Sequence, residues 1–157
     1  MPITTEDLIA ARNAWGAGKI AISKAFEEGG IDMARKVAAA HLDKVYGYNF
    51  APVLFKPTMA SGDQTFRPSK DGALAYFVGH SDDYPLDTGF AIRGWRSMDC
   101  TTSAEFIEGD VAMWMGWVML TDKDGNVTKV DKSFGYKKDD QGSVRLVLHH
   151  SSLPYQP

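Results

Sequence analysis

The hydrophobic positions divide the chain into a helical first third and a strand-rich last half. Thr4 or Thr5 is placed to cap a first helix, and Glu6 and Asp7 suit the positive end of its dipole. Leu8, Ile9, Ala11, Trp15, Ile20, Ile22 and Phe26 follow at helical spacing. Gly16 and Gly18 weaken the middle of this helix, and Gly29-Gly30 ends it. A second helix is predicted from about Asp32 to Tyr46, with Met33, Val37, Ala40, Leu42 and Val45 as its apolar stripe. The two helices read as a hairpin.

Pro52, Pro57 and Pro68 then exclude long regular elements. Val53 to Lys56 reads as a short strand. Ser69 is a cap for a brief helix through Ala73, Leu74, Tyr76 and Phe77, which Gly79 stops. From Ala91 onward the pattern is strand-like. Its clearest stretch, DVAMWMGWVMLT, is apolar at almost every position, as in a strand covered on both faces by its own core, or by its core on one face and a partner on the other. Asp-Gly at 124–125 centres a hairpin turn. Val127 to Lys138 returns as a strand, Asp139-Asp140-Gln141-Gly142 turns again, and Ser143 to Ser152 is the last strand. Helices followed by an antiparallel meander predict an α+β domain with the helices on one face of a curved sheet.

Composition narrows the functional classes. At 157 residues the chain suits one domain, residues 1–157, and a chain of this length buries roughly 70% of its unfolded surface. A net charge of -3 with mixed signs and no basic block argues against nucleic acid as a partner. A single cysteine, Cys100, excludes an internal disulfide and any multi-cysteine zinc site within one chain, and packing suits it better than thiolate chemistry. The N-terminal segment has no signal-peptide pattern, and Val111 to Leu120 is about half the length needed to cross a bilayer. A soluble intracellular protein is expected, cytoplasmic in a bacterium or plastidic as a domain of an algal protein.

A catalytic zinc needs about three protein ligands. The four histidines, His41, His80, His149 and His150, show no such spacing, and strand parity sends His149 and His150 to opposite faces. No nucleophile elbow, phosphate loop or dinucleotide fingerprint is present. Hydroxyl-bearing residues do gather at KPTMASG around Thr58, ALAYFVG around Tyr76 and LVLHHSSLPY around Ser151. Each has an ordinary structural explanation as turn, core ring or strand end. The residues alone therefore lead to an α+β domain with a polar-lined cavity.

The ordered blocks PVLFKPTMASGDQTFRP, DGALAYFVG, DTGFAI, FGYKKDD and HHSSLPY, spanning about residue 50 to the C-terminus, resemble the iota-class carbonic anhydrases. These are a branch of the NTF2-like superfamily, near the calmodulin-kinase association domains. The resemblance implies a closed cone of N-terminal helices on a strongly curved, mostly antiparallel sheet. It also implies interconversion of carbon dioxide and bicarbonate with no metal or other cofactor, substrate being held by a threonine, a tyrosine and a serine. Matched block by block, those roles fall on Thr58, Tyr76 and Ser151. His149, on the same strand face as Ser151, joins them as a substrate-side residue.

Hydroxyls converging in a dry pocket orient a small planar anion and stabilise charge as water attacks carbon. The base is the open question, because an ordinary tyrosine has a pKa of about 10. Either Tyr76 is strongly perturbed or a hydroxyl–water chain carries the proton outward, finished by His149 or His150. A homodimer is expected from the apolar strand at 111–120. Two rival readings keep the fold and change the function. One is an isomerase or polyketide cyclase with Asp131 as the nominated acid. The other is a non-catalytic dimerisation or ligand-binding domain.

Overall fold

The computed structural model describes residues 1–157. Helix α1 (Thr5–Val45) begins at a reciprocal cap: Asp7 N–H donates to Thr4 Oγ1 at 3.1 Å and Thr4 N–H donates to Asp7 Oδ2 at 2.9 Å. Gly30, at φ 77° and ψ -165°, breaks α1 into the two helices expected from the sequence. The halves fold back on each other, so that Lys19 Nζ lies 2.7 Å from His41 Nε2 and Trp15 Nε1 lies 2.9 Å from Tyr46 Oη. Gly18 permits this approach. A Cβ built there would sit 2.0 Å from His41 Nδ1. The glycine that lowers helix propensity is thus what lets the hairpin close.

β1 (Leu54–Lys56) follows, then a 3-10 turn at Gly62–Gln64 and helix α2 (Lys70–Val78). Ser69 Oγ accepts from Gly72 N–H at the start of α2, and Gly79 stops it at φ 64°. The predicted strand onset at Ala91 is corrected: Phe90–Ile92 forms a 3-10 turn, and β2 (Trp95–Glu108) begins after Gly94. β3 (Val111–Asp122), β4 (Val127–Lys138) and β5 (Val144–Ser152) complete the chain. Asp122 Oδ1 accepts from the amides of Asp124 and Asn126, which shapes the Asp-Gly turn between β3 and β4.

The strand order is β1-β5-β4-β3-β2, antiparallel except for the parallel pairing of β1 with β5. The sheet is open, with β1 and β2 as edges, which corrects the expected closed cone. Its inner face carries Ala112, Trp114, Val118, Leu120, Val130, Phe134 and Leu146, packed into one core with Leu8, Trp15, Ile22 and Leu42 of α1. β3 is buried on one face only. Ala112, Trp114 and Val118 are inside, whereas Val111, Met113 and Met115 are exposed on the other face, Met115 to 58%. No helix is long and apolar enough to cross a membrane.

Gly18→Ala tests the close approach in the hairpin. In a helix interior this change ordinarily stabilises by about 1 kcal/mol. Here overpacking against His41, about 1–3 kcal/mol, outweighs that gain. A lower midpoint in urea or thermal denaturation is expected, and a raised midpoint would show that the hairpin has slack.

Candidate active site

Thr58, Tyr76 and Ser151 come from three different elements. Thr58 follows β1 and Pro57, Tyr76 lies on α2, and Ser151 is on the inner face of β5. Thr58 Oγ1 and Ser151 Oγ are 2.5 Å apart. The backbone N–H of Met59 donates to Tyr76 Oη at 3.1 Å, which ties the phenol to the residue next to Thr58. Ser151 is fully buried and Tyr76 nearly so, while Thr58 is half-buried. Beside Tyr76 lies a cavity of about 240 Å³, lined by Met59, Leu86, Thr88, Phe90 and Arg93 among others. Its wall is clamped by a buried pair in which Arg67 Nη1 and Nη2 donate to Asp87 Oδ2 and Oδ1 at 2.7 and 2.8 Å.

Burial pushes the Tyr76 phenol up to about 12; the Met59 amide, the Thr58 hydroxyl and the positive charge of Arg93 offset part of that rise. Tyr76 is therefore a protonated hydroxyl at neutral pH and does not supply a phenolate base.

Behind Ser151 lies a cluster that sequence reasoning missed. The register of β4 on β5 pairs Lys132 with Ser151 and Phe134 with His149. Lys132, 2% exposed, holds its Nζ 3.0 Å from Ser151 Oγ and 2.8 Å from His149 Nε2. His149 Nδ1 lies 2.8 Å from Tyr46 Oη, and that oxygen accepts from Trp15 Nε1–H. Lys19 is also fully buried against Trp15, and its Nζ reaches His41. Neither lysine has a carboxylate partner. Their Nζ atoms lie 4.5 Å (Lys19) and 4.7 Å (Lys132) from the Trp15 ring centroid. Such aromatic contacts favour an ammonium by about 0.5–2 kcal/mol. Desolvating an unpaired ion costs several kcal/mol, so burial outweighs these contacts and shifts both lysines toward the neutral amine. Accordingly, burial lowers Lys132 to about 7 and takes Lys19, with a contribution from the charge of Lys132, well below the lysine range.

The other sequence candidates make no direct contact with the three hydroxyls. His149 faces the same side as Ser151, but both its ring nitrogens are engaged and burial drives its pKa far below the ordinary histidine value. It is thus no carrier of protons near neutrality. His150 is exposed on the opposite face, and His80 is an exposed residue after α2. No three His, Cys, Asp or Glu side chains gather as a metal site. Asp131 lies half-buried on the face of β4 opposite Lys132, away from the inner hydroxyls. Cys100 is a half-buried free thiol whose pKa burial raises, in keeping with packing.

The family model described as metal-independent carbonic anhydrase matches residues 6–153. A curated metal-independent carbonic anhydrase from Nostoc sp. (strain PCC 7120) is 47% identical over 154 residues, covering 98% of this chain and 75% of the relative. The chain belongs to this family. Among solved structures, an iota-carbonic anhydrase from a cyanobacterium, complexed with bicarbonate, superposes on this metal-independent carbonic anhydrase family member with a TM-score of 0.98. The two are 46% identical, over 99% of this chain and 95% of that one. An NTF2-like superfamily protein from Salmonella enterica aligns at a TM-score of 0.56 and 12% identity, over 96% and 91% of the two chains, a likeness of fold alone.

Buried bases without acids give the protein an unusual pH dependence. The folded pKa of Lys132 lies below its unfolded value of 10.5, so between about pH 7 and that value the unfolded chain binds a proton that the native state does not. Stability rises with pH in that window, by up to about 1.4 kcal/mol per pH unit per proton. His41 and His149, both depressed, add the same sign below pH 6.5. Above pH 10 the raised pKa values of Tyr46 and Tyr76 reverse it, because the unfolded chain then loses protons first. The melting temperature is expected to climb from pH 6 to pH 9; a flat or falling profile between pH 7 and 9 would show that Lys132 keeps its proton.

Proposed function

We propose that this chain interconverts carbon dioxide and bicarbonate, without a metal, at a site formed by the Thr58, Tyr76 and Ser151 hydroxyls. The observation that carries the reading is the convergence of these groups, with Thr58 and Ser151 in direct contact and Tyr76 held beside them by the Met59 amide. The likeness to a bicarbonate-complexed iota-carbonic anhydrase supports it. Tyr76 Oη accepts from a backbone amide and keeps its own hydrogen, so it is a donor aimed at an oxygen that gains charge as water adds to carbon. Thr58 and Ser151 hydroxyls both donate and accept, and so can hold water and then a bicarbonate oxygen in turn. Arg93 at the cavity rim supplies a positive charge that favours an anionic product.

The isomerase or cyclase reading loses its nominated acid, because Asp131 sits on the far face of the sheet. A second copy is read as covering the outer face of β3, where Val111, Met113 and Met115 are exposed next to Phe106 of β2, which pairs with Met113. On this reading residues 1–157 form one catalytic domain per subunit. A Met115→Lys variant that stays dimeric by light scattering would remove that face from the interface.

Stopped-flow carbon dioxide hydration on chelator-treated protein tests the site. Activity is expected to survive chelation. Tyr76→Phe, Thr58→Val and Ser151→Ala should each lower kcat by about 10²-fold, the scale of one lost transition-state donor. Near-normal turnover in Tyr76→Phe would take that residue out of the mechanism, and activity that depends on added metal would end the metal-free reading.

A further inference from the structure

The hydrogen-bond chain behind Ser151 has a fixed direction. The Trp15 indole is a donor only, so Tyr46 Oη accepts from it. Tyr46 is fully buried, and its phenol hydrogen has one acceptor within reach, His149 Nδ1 at 2.8 Å. A neutral imidazole that accepts at Nδ1 carries its hydrogen on Nε2. That N–H points at Lys132 Nζ, 2.8 Å away, and a lysine nitrogen accepts a hydrogen bond only as a neutral amine. The reverse direction, with an ammonium donating to Nε2 and Nδ1–H donating to Tyr46, strands the phenol hydrogen in the core with no acceptor. Trp15 therefore sets the protonation state of a lysine three hydrogen bonds away. The amine's own N–H is left for Ser151 Oγ at 3.0 Å.

We propose that Lys132 is the positioning residue that makes Ser151 a proton acceptor: as a neutral amine in contact with Ser151 Oγ, it receives through that hydroxyl the proton released when water adds to carbon dioxide. The inference rests on the reading of Thr58, Tyr76 and Ser151 as the hydration site. The step balances. The water oxygen forms a bond to carbon as one C=O pair moves onto oxygen, where Tyr76 donates. The water O–H bond breaks and its proton goes to Ser151 Oγ, while the Ser151 hydrogen passes to the Nζ lone pair, turned from His149 to Ser151 by rotation about Cε–Nζ. The products are bicarbonate and a Lys132 ammonium. Once bicarbonate leaves, the proton returns through the same hydroxyls to water in the cavity, and the amine is restored.

The surroundings of Lys132 hold it at the balance this cycle needs. The positive charge of Lys56 on β1 disfavours the ammonium, Cys100 on β2 and Asp131 on its own strand favour it, and burial dominates all three. Lys19 on α1 and His149 on β5 face it as well, both themselves depressed by the charge of Lys132. Lys19 has the same burial but reaches only His41, so Lys132 is the lysine in contact with the hydroxyl set.

Two measurements on the intact protein test this. In wild type, ¹⁵N NMR of the lysine Nζ and imidazole nitrogens should show Lys132 titrating near neutrality and His149 protonated on Nε2 above that midpoint. The kcat for hydration should rise through the same pH. Lys132→Met and Lys132→Arg are both expected to lower kcat by about 10²-fold or more, with a smaller change in KM, and to lose that inflection. Arginine keeps the charge but cannot become neutral. A Lys132 that remains an ammonium at pH 9 in an active wild type, or a His149 protonated on Nδ1, overturns the inference and leaves the hydroxyl site standing. Retention of kcat and of the inflection in Lys132→Arg overturns it equally. A wild type that does not hydrate carbon dioxide overturns the hydroxyl site and this role together. If either variant fails to fold, the wild-type titration decides.

Discussion

The structure depends on the refusal of a low-dielectric interior to hold an unpaired positive charge. Two lysines, two histidines and two hydroxyl-bearing side chains surround Trp15 and its neighbours with no carboxylate to neutralise them. Charged, this cluster would cost more desolvation than cation–π contacts return. Neutral, every member finds a partner and the cluster becomes a directed network. The two buried side-chain polar atoms without partners, Arg12 Nη1 and Tyr136 Oη, lie outside it. An unpaired negative charge is refused in the same way, which keeps Tyr76 a phenol. The protonation of Tyr76 and of Lys132 is thus governed by exclusion of water, with opposite directions of shift for the oxygen and the nitrogen group.

Geometry completes what electrostatics begins. The pairing of β4 with β5 places Lys132 opposite Ser151, and the parallel pairing of β1 with β5 sets Phe55 opposite His149, with ring centroids 4.5 Å apart. Lys56 donates to the Ser151 carbonyl at 2.8 Å, so the edge strand that delivers Thr58 is fastened to the strand it must meet. Tyr76 reaches the same point from α2, whose start and stop are fixed by Ser69 and Gly79. Tyr76 and Ser151 thereby rest on regular structure, and Thr58 sits in a bend two residues beyond the fastened edge strand.

Much of this was legible in the sequence, and the parts that were not share a cause. Thr4, Ser69, Gly30, Gly79 and the Asp-Gly turn act locally, so residue type and position sufficed to place the elements. Thr58, Tyr76 and Ser151 drew notice as hydroxyls near aromatic residues, and the family blocks singled them out. Lys132 escaped because it lies in the polar run Asp131-Lys132-Ser133, which reads as a solvated strand face. Only the parity of Val130, Lys132 and Phe134 marks it as inward. Lys19 hides likewise, at helical spacing between Trp15 and Ile22. A lysine is exposed by default, and no local pattern announces that a fold will bury one. The closed cone failed for a different reason, since whether edge strands meet depends on the twist and length of every strand between them.

Thr58 and Ser151 are 93 residues apart along the chain, and β1 joins the sheet only beside the final strand. Closing so long a loop is entropically unfavourable until the strands between are in place. The hairpins from β2 to β5 are local and can assemble early, whereas the Thr58–Ser151 contact exists only after the end of β5 has found β1. During synthesis Thr58 therefore stays without Ser151 until β5 has emerged. The two hydroxyls meet late in folding, and no fragment that lacks either strand holds them together.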